Sequence, residues 1–169
     1  MADTKDWTWV LERPCPECGL ESATVDGAQI PEVLADVASR WTEVLTRADV
    51  EVRPAAEVWS PLEYACHVRD VCTVMAGRAR RMLAEDSPTF ADWDQDAAAQ
   101  ADRYAEQDPV DVARELAAAA DDAAGVFAGV SGAAWDRPGL RSNGSSFTVR
   151  TLGQYFVHDV IHHLHDVAG

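Results

Sequence analysis

Positive charge is what this sequence has least of. Fourteen Lys and Arg stand against 29 Asp and Glu, a formal net charge of -15, and the acid is spread along the chain rather than gathered in a tail. A nucleic-acid binder needs a basic stripe to neutralise phosphates, and an anionic membrane surface asks for the same. The composition argues against both partners and reads as solubility. Long apolar runs are missing too. None has the length to span a bilayer, and the opening MADTKDWTWV lacks the basic-then-apolar pattern of a secretion signal. The expected location is the cytoplasm. Four cysteines, Cys15, Cys18, Cys66 and Cys72, are few for a disulfide scaffold, and in that compartment they are expected as thiols or metal ligands. There is no internal repeat. Lys5 is the only lysine, and arginine use together with abundant alanine has the look of high-GC bacterial coding.

What is present is helical periodicity. The 169 residues suit one domain over 1–169, with an irregular N-terminal segment over 1–27 and a helical bundle over 28–169. A first helix is expected from about Gln29 to Arg47, with Ile30, Val33, Leu34, Val37, Trp41 and Leu45 on one face. The second opens at Ser60-Pro61-Leu62-Glu63, a serine cap, a first-turn proline and a glutamate that completes a capping box. It should run to about Ala84. A short helix is expected within 90–106 and a third long helix from Asp108-Pro109 to about Ala128. Asn143-Gly144 predicts a tight hairpin-like loop before the last helix, which should run from near Thr148 to about Val167. Four long helices make an all-α four-helix bundle.

The five histidines fall in two places. His67 is alone on the second helix; His158, His162, His163 and His165 crowd the last. Residues four apart share a helical face, so His158 and His162 can grip one ion. His165 borders the same face and competes as a ligand, whereas His163 points elsewhere. No glutamate follows His158, so the metalloprotease pattern is absent. The apolar stripe of the last helix is Phe156, Val160, Leu164 and Val167, nearly opposite His158 and His162. These two histidines therefore either face water, as a polar surface near a helix end, or line a polar cleft. Spacing alone leaves both open.

Two further segments carry chemistry. Cys15-Pro16-Glu17-Cys18-Gly19 is a knuckle, a pair of thiols around a tight turn. It reads as a redox dithiol, as half of a zinc site completed by another chain, or as a turn packed on the bundle, since a closed zinc site needs four ligands and no second C-x-x-C exists. Cys66 and Cys72 read as small core residues. Trp93-Asp94-Gln95-Asp96 reads as a helix N-terminus capped by Asp94, or as a polar loop beside a site mouth.

Trp59-Ser60-Pro61-Leu62-Glu63-Tyr64-Ala65-Cys66-His67 is similar to a W-s-x-x-E-x-x-x-H pattern. His158-Asp159-Val160-Ile161-His162-His163 is similar to an H-D-x-x-H-H pattern. In this order, with Phe147-Thr148-Val149-Arg150-Thr151-Leu152 leading into the second, they resemble the DinB/YfiT-like bundle superfamily over roughly residues 55–167. Relatives there include mycothiol-dependent maleylpyruvate isomerase and bacillithiol S-transferases. The resemblance implies a four-helix bundle with a divalent metal, zinc first and nickel second, held by His67, His158 and His162. Three protein ligands leave an open position, the mark of a catalytic site. It further implies transfer of a low-molecular-weight thiol, mycothiol for a high-GC source, to a small electrophile. The other readings are a hydrolase or isomerase using metal-bound water and a non-enzymatic metal-binding stress-response protein. Asp70 and Asp159 are candidates to orient ligand histidines from behind. A homodimer, through Trp7, Trp9 and the knuckle, is the expected assembly.

Overall fold

A computed structural model describes residues 7–169. The first six residues of the expected irregular segment lie outside it. The chain continues through three short 3-10 turns, Trp7–Leu11, Ser22–Thr24 and Gly27–Gln29, into α1 (Ile30–Val44). Then come α2 (Pro61–Ala84), β1 (Thr89–Phe90), α3 (Gln95–Ala101), α4 (Pro109–Ala128), β2 (Pro138–Arg141), β3 (Ser146–Thr148) and α5 (Val149–Asp166). The fold is predominantly helical, as the periodicity implies.

Each long helix starts where its sequence supplies acceptors for the free amides of the first turn. Ser60 and Glu63 form the reciprocal capping box of α2. Asp108 accepts from Val110 and Asp111 at the head of α4, and Thr148 with Thr151 caps α5. Such caps are worth about 1 kcal/mol each. α4 and α5 each pack against both α1 and α2, so α1 and α2 sit diagonally and the 45–60 connection spans the end of the bundle. The core they enclose is built on Trp41, Leu34, Leu62, Met82, Leu116, Phe127, Leu152 and Phe156, all buried.

A small three-stranded sheet, ordered β1-β2-β3, was not legible in the sequence. The expected hairpin around Asn143-Gly144 is present, with Gly139 opposite Phe147 and Gly144 at φ +96°. Two residues of β1 add to it in parallel, a pairing too short to leave an alternating pattern. The sheet seats on α2 at Gly139, where a Cβ would lie 2.7 Å from Met82 Cγ.

The last helix is enclosed on most of its circumference. Phe156, Val160 and Leu164 are buried, and so are Gln154, His158 and His162 on other faces. The N-terminal segment covers that side. Gln154 Nε2 donates to the carbonyls of Ala23 and Val25 at 2.9 and 3.1 Å, and Val10 and Cys15 are buried beside it. Of the two exposures left open for His158 and His162, the enclosed one is observed. Among the described residues no helix is long and apolar enough to cross a membrane.

Candidate metal centre

Successive residues of an α-helix are about 100° apart, so H-D-x-x-H-H contains two grips, not one. His158 and His162 point to one side of α5. Asp159 and His163 point to the next. The three histidines expected to share an ion are divided between these sides: α2 brings His67 to Asp159 and His163, while the N-terminal knuckle brings Cys15 and Cys18 to His158 and His162. Among the described residues no group of converging ligand atoms joins His67 to His158 or His162. The sequence signal that marks the division is the second i, i+4 pair, Asp159/His163, overlaid on the first.

In the first group, His67 Nε2 lies 3.5 Å from Asp159 Oδ1, and His163 Nε2 lies 3.5 Å from the same oxygen. A direct charge-assisted bond between imidazolium and carboxylate would be about 2.7–2.9 Å. Two ligands on a tetrahedral zinc, with bonds near 2.1 Å, stand about 3.4 Å apart. The observed separations match the second case. Both nitrogens of His67 and Oδ1 of Asp159 are enclosed and have no hydrogen-bond partner, although the Asp159 side chain as a whole keeps 20% exposure. Burial holds the His67 imidazole below its ordinary range, against the pull of Asp159, so it is neutral at physiological pH as a ligand must be. Burial pushes the Asp159 carboxyl up, but the surrounding histidines outweigh it and hold the group below its usual range. The donor set of two imidazoles and one carboxylate fits zinc or another first-row divalent ion with a position to spare.

Aromatic rings fix this group. His67 stacks on Trp93 at 5.4 Å and 11° and packs against Trp59 at 5.5 Å. The two readings of the Trp93 segment thus hold together: Asp94 caps α3, and Trp93, Gln95 and Asp96 stand beside the centre. Asp159 touches the ligand set directly, but Asp70 does not. Asp70 accepts from Tyr104 Oη at 2.5 Å and from Arg69 Nε at 2.8 Å, a network between α2 and the 3-10 turn Tyr104–Glu106 that precedes α4.

The second group gathers Cys15, Cys18, His158 and His162, whose ligand atoms lie within 4.8 Å of one another. Cys15 Sγ is 3.6 Å from His162 Nδ1. Burial, then the neighbouring His162, pushes His158 down to about 4. His165, the competitor for this face, is exposed, its ring 6.3 Å from that of His162. Cys66 and Cys72 are core residues, as expected, and burial pushes both thiols up to about 12.

A cavity of about 360 Å³ opens between the two groups, walled by Trp59, Tyr64, Tyr155 and Trp7 and by the acids Glu17, Glu57, Asp96 and Asp166. Asp159 and His163 of the first group and His158 and His162 of the second line it, whereas His67 does not. The volume is that of a site for a small organic molecule.

Comparison with known proteins agrees with this architecture. YfiT from Bacillus subtilis, described as a probable metal-dependent hydrolase with an unusual four-helix bundle topology, superposes with a TM-score of 0.73 at 16% identity, over 84% of this chain and 85% of that one. No curated protein matches the sequence. The DinB superfamily pattern spans residues 24–167, and the chain belongs to the DinB superfamily.

Proposed function

We propose that the protein is a metal-dependent enzyme whose working ion is held by His67, Asp159 and His163 and whose reaction is transfer of a small thiol to an electrophile. The observation that carries the metal reading is Asp159 Oδ1 standing 3.5 Å from both His67 Nε2 and His163 Nε2, with no hydrogen-bond partner for His67, behind a cavity that Asp159 and His163 line. His67, Asp159 and His163 would hold a divalent ion, zinc first and nickel second, which would supply a Lewis acid able to lower the pKa of a thiol or of water. The residues around it do the rest. Trp59 and Trp93 hold the His67 ring in place. Tyr64, whose hydroxyl burial pushes up to about 12, stays a proton donor toward the substrate. Glu57, Asp96 and Asp166 give the cavity acceptors and no cation, which favours a neutral, hydroxyl-bearing thiol such as mycothiol over an acidic one.

A hydrolase using bound water is the second reading. It is favoured by the same carboxylates, which can take a proton from water, and by the description of YfiT. Metallated protein is to be assayed against a panel of epoxides, halides and activated esters with and without added thiol. Consumption only with thiol supports transfer. Turnover without thiol selects hydrolysis, and no turnover in either arm, in protein that binds metal, refutes an enzymatic role for the centre.

A further inference from the structure

We infer that Cys15, Cys18, His158 and His162 form a second metal site, a closed and structural zinc site that fastens the N-terminal segment to α5. The inference does not depend on the reaction proposed above, because the two sites share no ligand.

The argument starts from the knuckle. Gly19 sits at φ +75° and its amide donates to the Cys15 carbonyl at 2.9 Å, while the Cys15 amide donates to Leu20. These bonds tighten the loop so that both thiols point the same way. A single C-x-x-C is half a site. The other half is the i, i+4 histidine pair of α5, more than 130 residues away in sequence and brought against the knuckle by the fold. Four donors from two elements, two sulfurs and two imidazoles, are the set that zinc takes with tetrahedral closure. With Zn–S near 2.3 Å and Zn–N near 2.05 Å, a tetrahedron places sulfur and nitrogen about 3.6 Å apart. The Cys15 Sγ to His162 Nδ1 distance is 3.6 Å.

Three further observations agree. His158 Nε2 is buried and has no hydrogen-bond partner, as befits a nitrogen whose partner is a metal. The other nitrogen of His162, Nε2, faces Glu17 at 3.4 Å and Asp166 at 3.6 Å. Carboxylates on the far nitrogen fix the tautomer and strengthen the imidazole as a ligand. Two thiolates also cancel the charge of a divalent ion, so the assembly is neutral where Cys15, His158 and His162 are buried. The absence of oxygen donors excludes magnesium and calcium. Four protein ligands leave no open position, so this site has no catalytic role of its own. It holds Glu17 and Trp7 at the cavity wall.

The test uses cobalt as a spectroscopic stand-in for zinc. Full-length protein, freed of metal under reducing conditions, is titrated with Co(II). The expected result is a thiolate-to-cobalt charge-transfer band with intense tetrahedral bands, bleached by zinc. Cys18→Ser is expected to lose the band and one equivalent of zinc. His67→Ala is expected to keep the band while losing a different equivalent. Should the serine variant fail to fold, alkylation of the wild type answers the question, since zinc should protect Cys15 and Cys18 from labelling mapped by mass spectrometry. Absence of the charge-transfer band, equal labelling with and without zinc, or a Cys15–Cys18 disulfide in freshly purified protein would each overturn the site.

Discussion

Replacing Asp159 by asparagine tests whether that residue is a ligand or an ordinary partner of His67. The substitution keeps shape and removes charge. Without metal, Asp159 stands 3.5 Å from both His67 Nε2 and His163 Nε2, and these imidazoles hold its carboxyl below the usual range, so a modest part of the metal-free stability goes with the charge. With metal, an anionic ligand is lost. Removing only a partner behind a ligand weakens metal binding by about 10–100-fold, and loss of the ligand itself is set at the upper end, about 100-fold. At a metal concentration roughly 1,000 times the wild-type Kd, the ion stabilises the wild type by about 4.1 kcal/mol. The variant then sits at roughly ten times its own Kd and gains about 1.4 kcal/mol. The gap of about 2.7 kcal/mol corresponds to roughly 5–11 °C in Tm for a chain of this size. Calorimetry of metal-free and metal-loaded forms measures it, and the Cys15/Cys18 site, untouched by the change, cancels in the comparison. An equal metal-induced rise in both proteins refutes ligation by Asp159. So does a variant whose metal-free Tm is already lower by the full amount, which would make Asp159 a structural partner.

Two further outcomes concern the scaffold. Glu63 is nearly enclosed, accepts from the Ser60 amide at 2.9 Å and pairs with Arg53. Burial raises its carboxyl, but Arg53 and Ser60 prevail and leave it below the usual range. A lowered folded-state value means the stabilisation is complete above the ordinary carboxylate range and is lost as pH falls through the folded value. Glu63→Gln should therefore cost about 2 kcal/mol at neutral pH, with the gap to wild type closing in acid; a gap that is constant with pH in thermal melts removes the ion pair from the account. At Gly153 a Cβ would meet Ile30 Cδ1 at 2.5 Å and Phe127 Cε1 at 3.1 Å. Gly153→Val should cost on the order of 2–3 kcal/mol, or roughly 4–12 °C in Tm, and an unchanged melt would mean that α5 can move away from α1 and α4.

The helices were written locally. Ser60-Pro61-Leu62-Glu63, Asp108-Pro109 and Thr148 announce their own starts because a cap and the amides it satisfies lie within three residues. Spacing also fixed that the last helix carries histidines one turn apart. It could not say which way they face, because the usual inference, apolar side inward and polar side outward, fails for a helix covered by a remote segment of the same chain. Residues 7–29 supply that cover. Only the tertiary structure decided that His67 meets Asp159 and His163 rather than His158 and His162, since this depends on the rotation of α5 relative to α2, and one residue of offset turns a side chain by about 100°. Only the tertiary structure joined Cys15 and Cys18 to His158 and His162. A metal site drawn from opposite ends of a chain leaves no spacing to read, and each half, seen alone, is a weak signal.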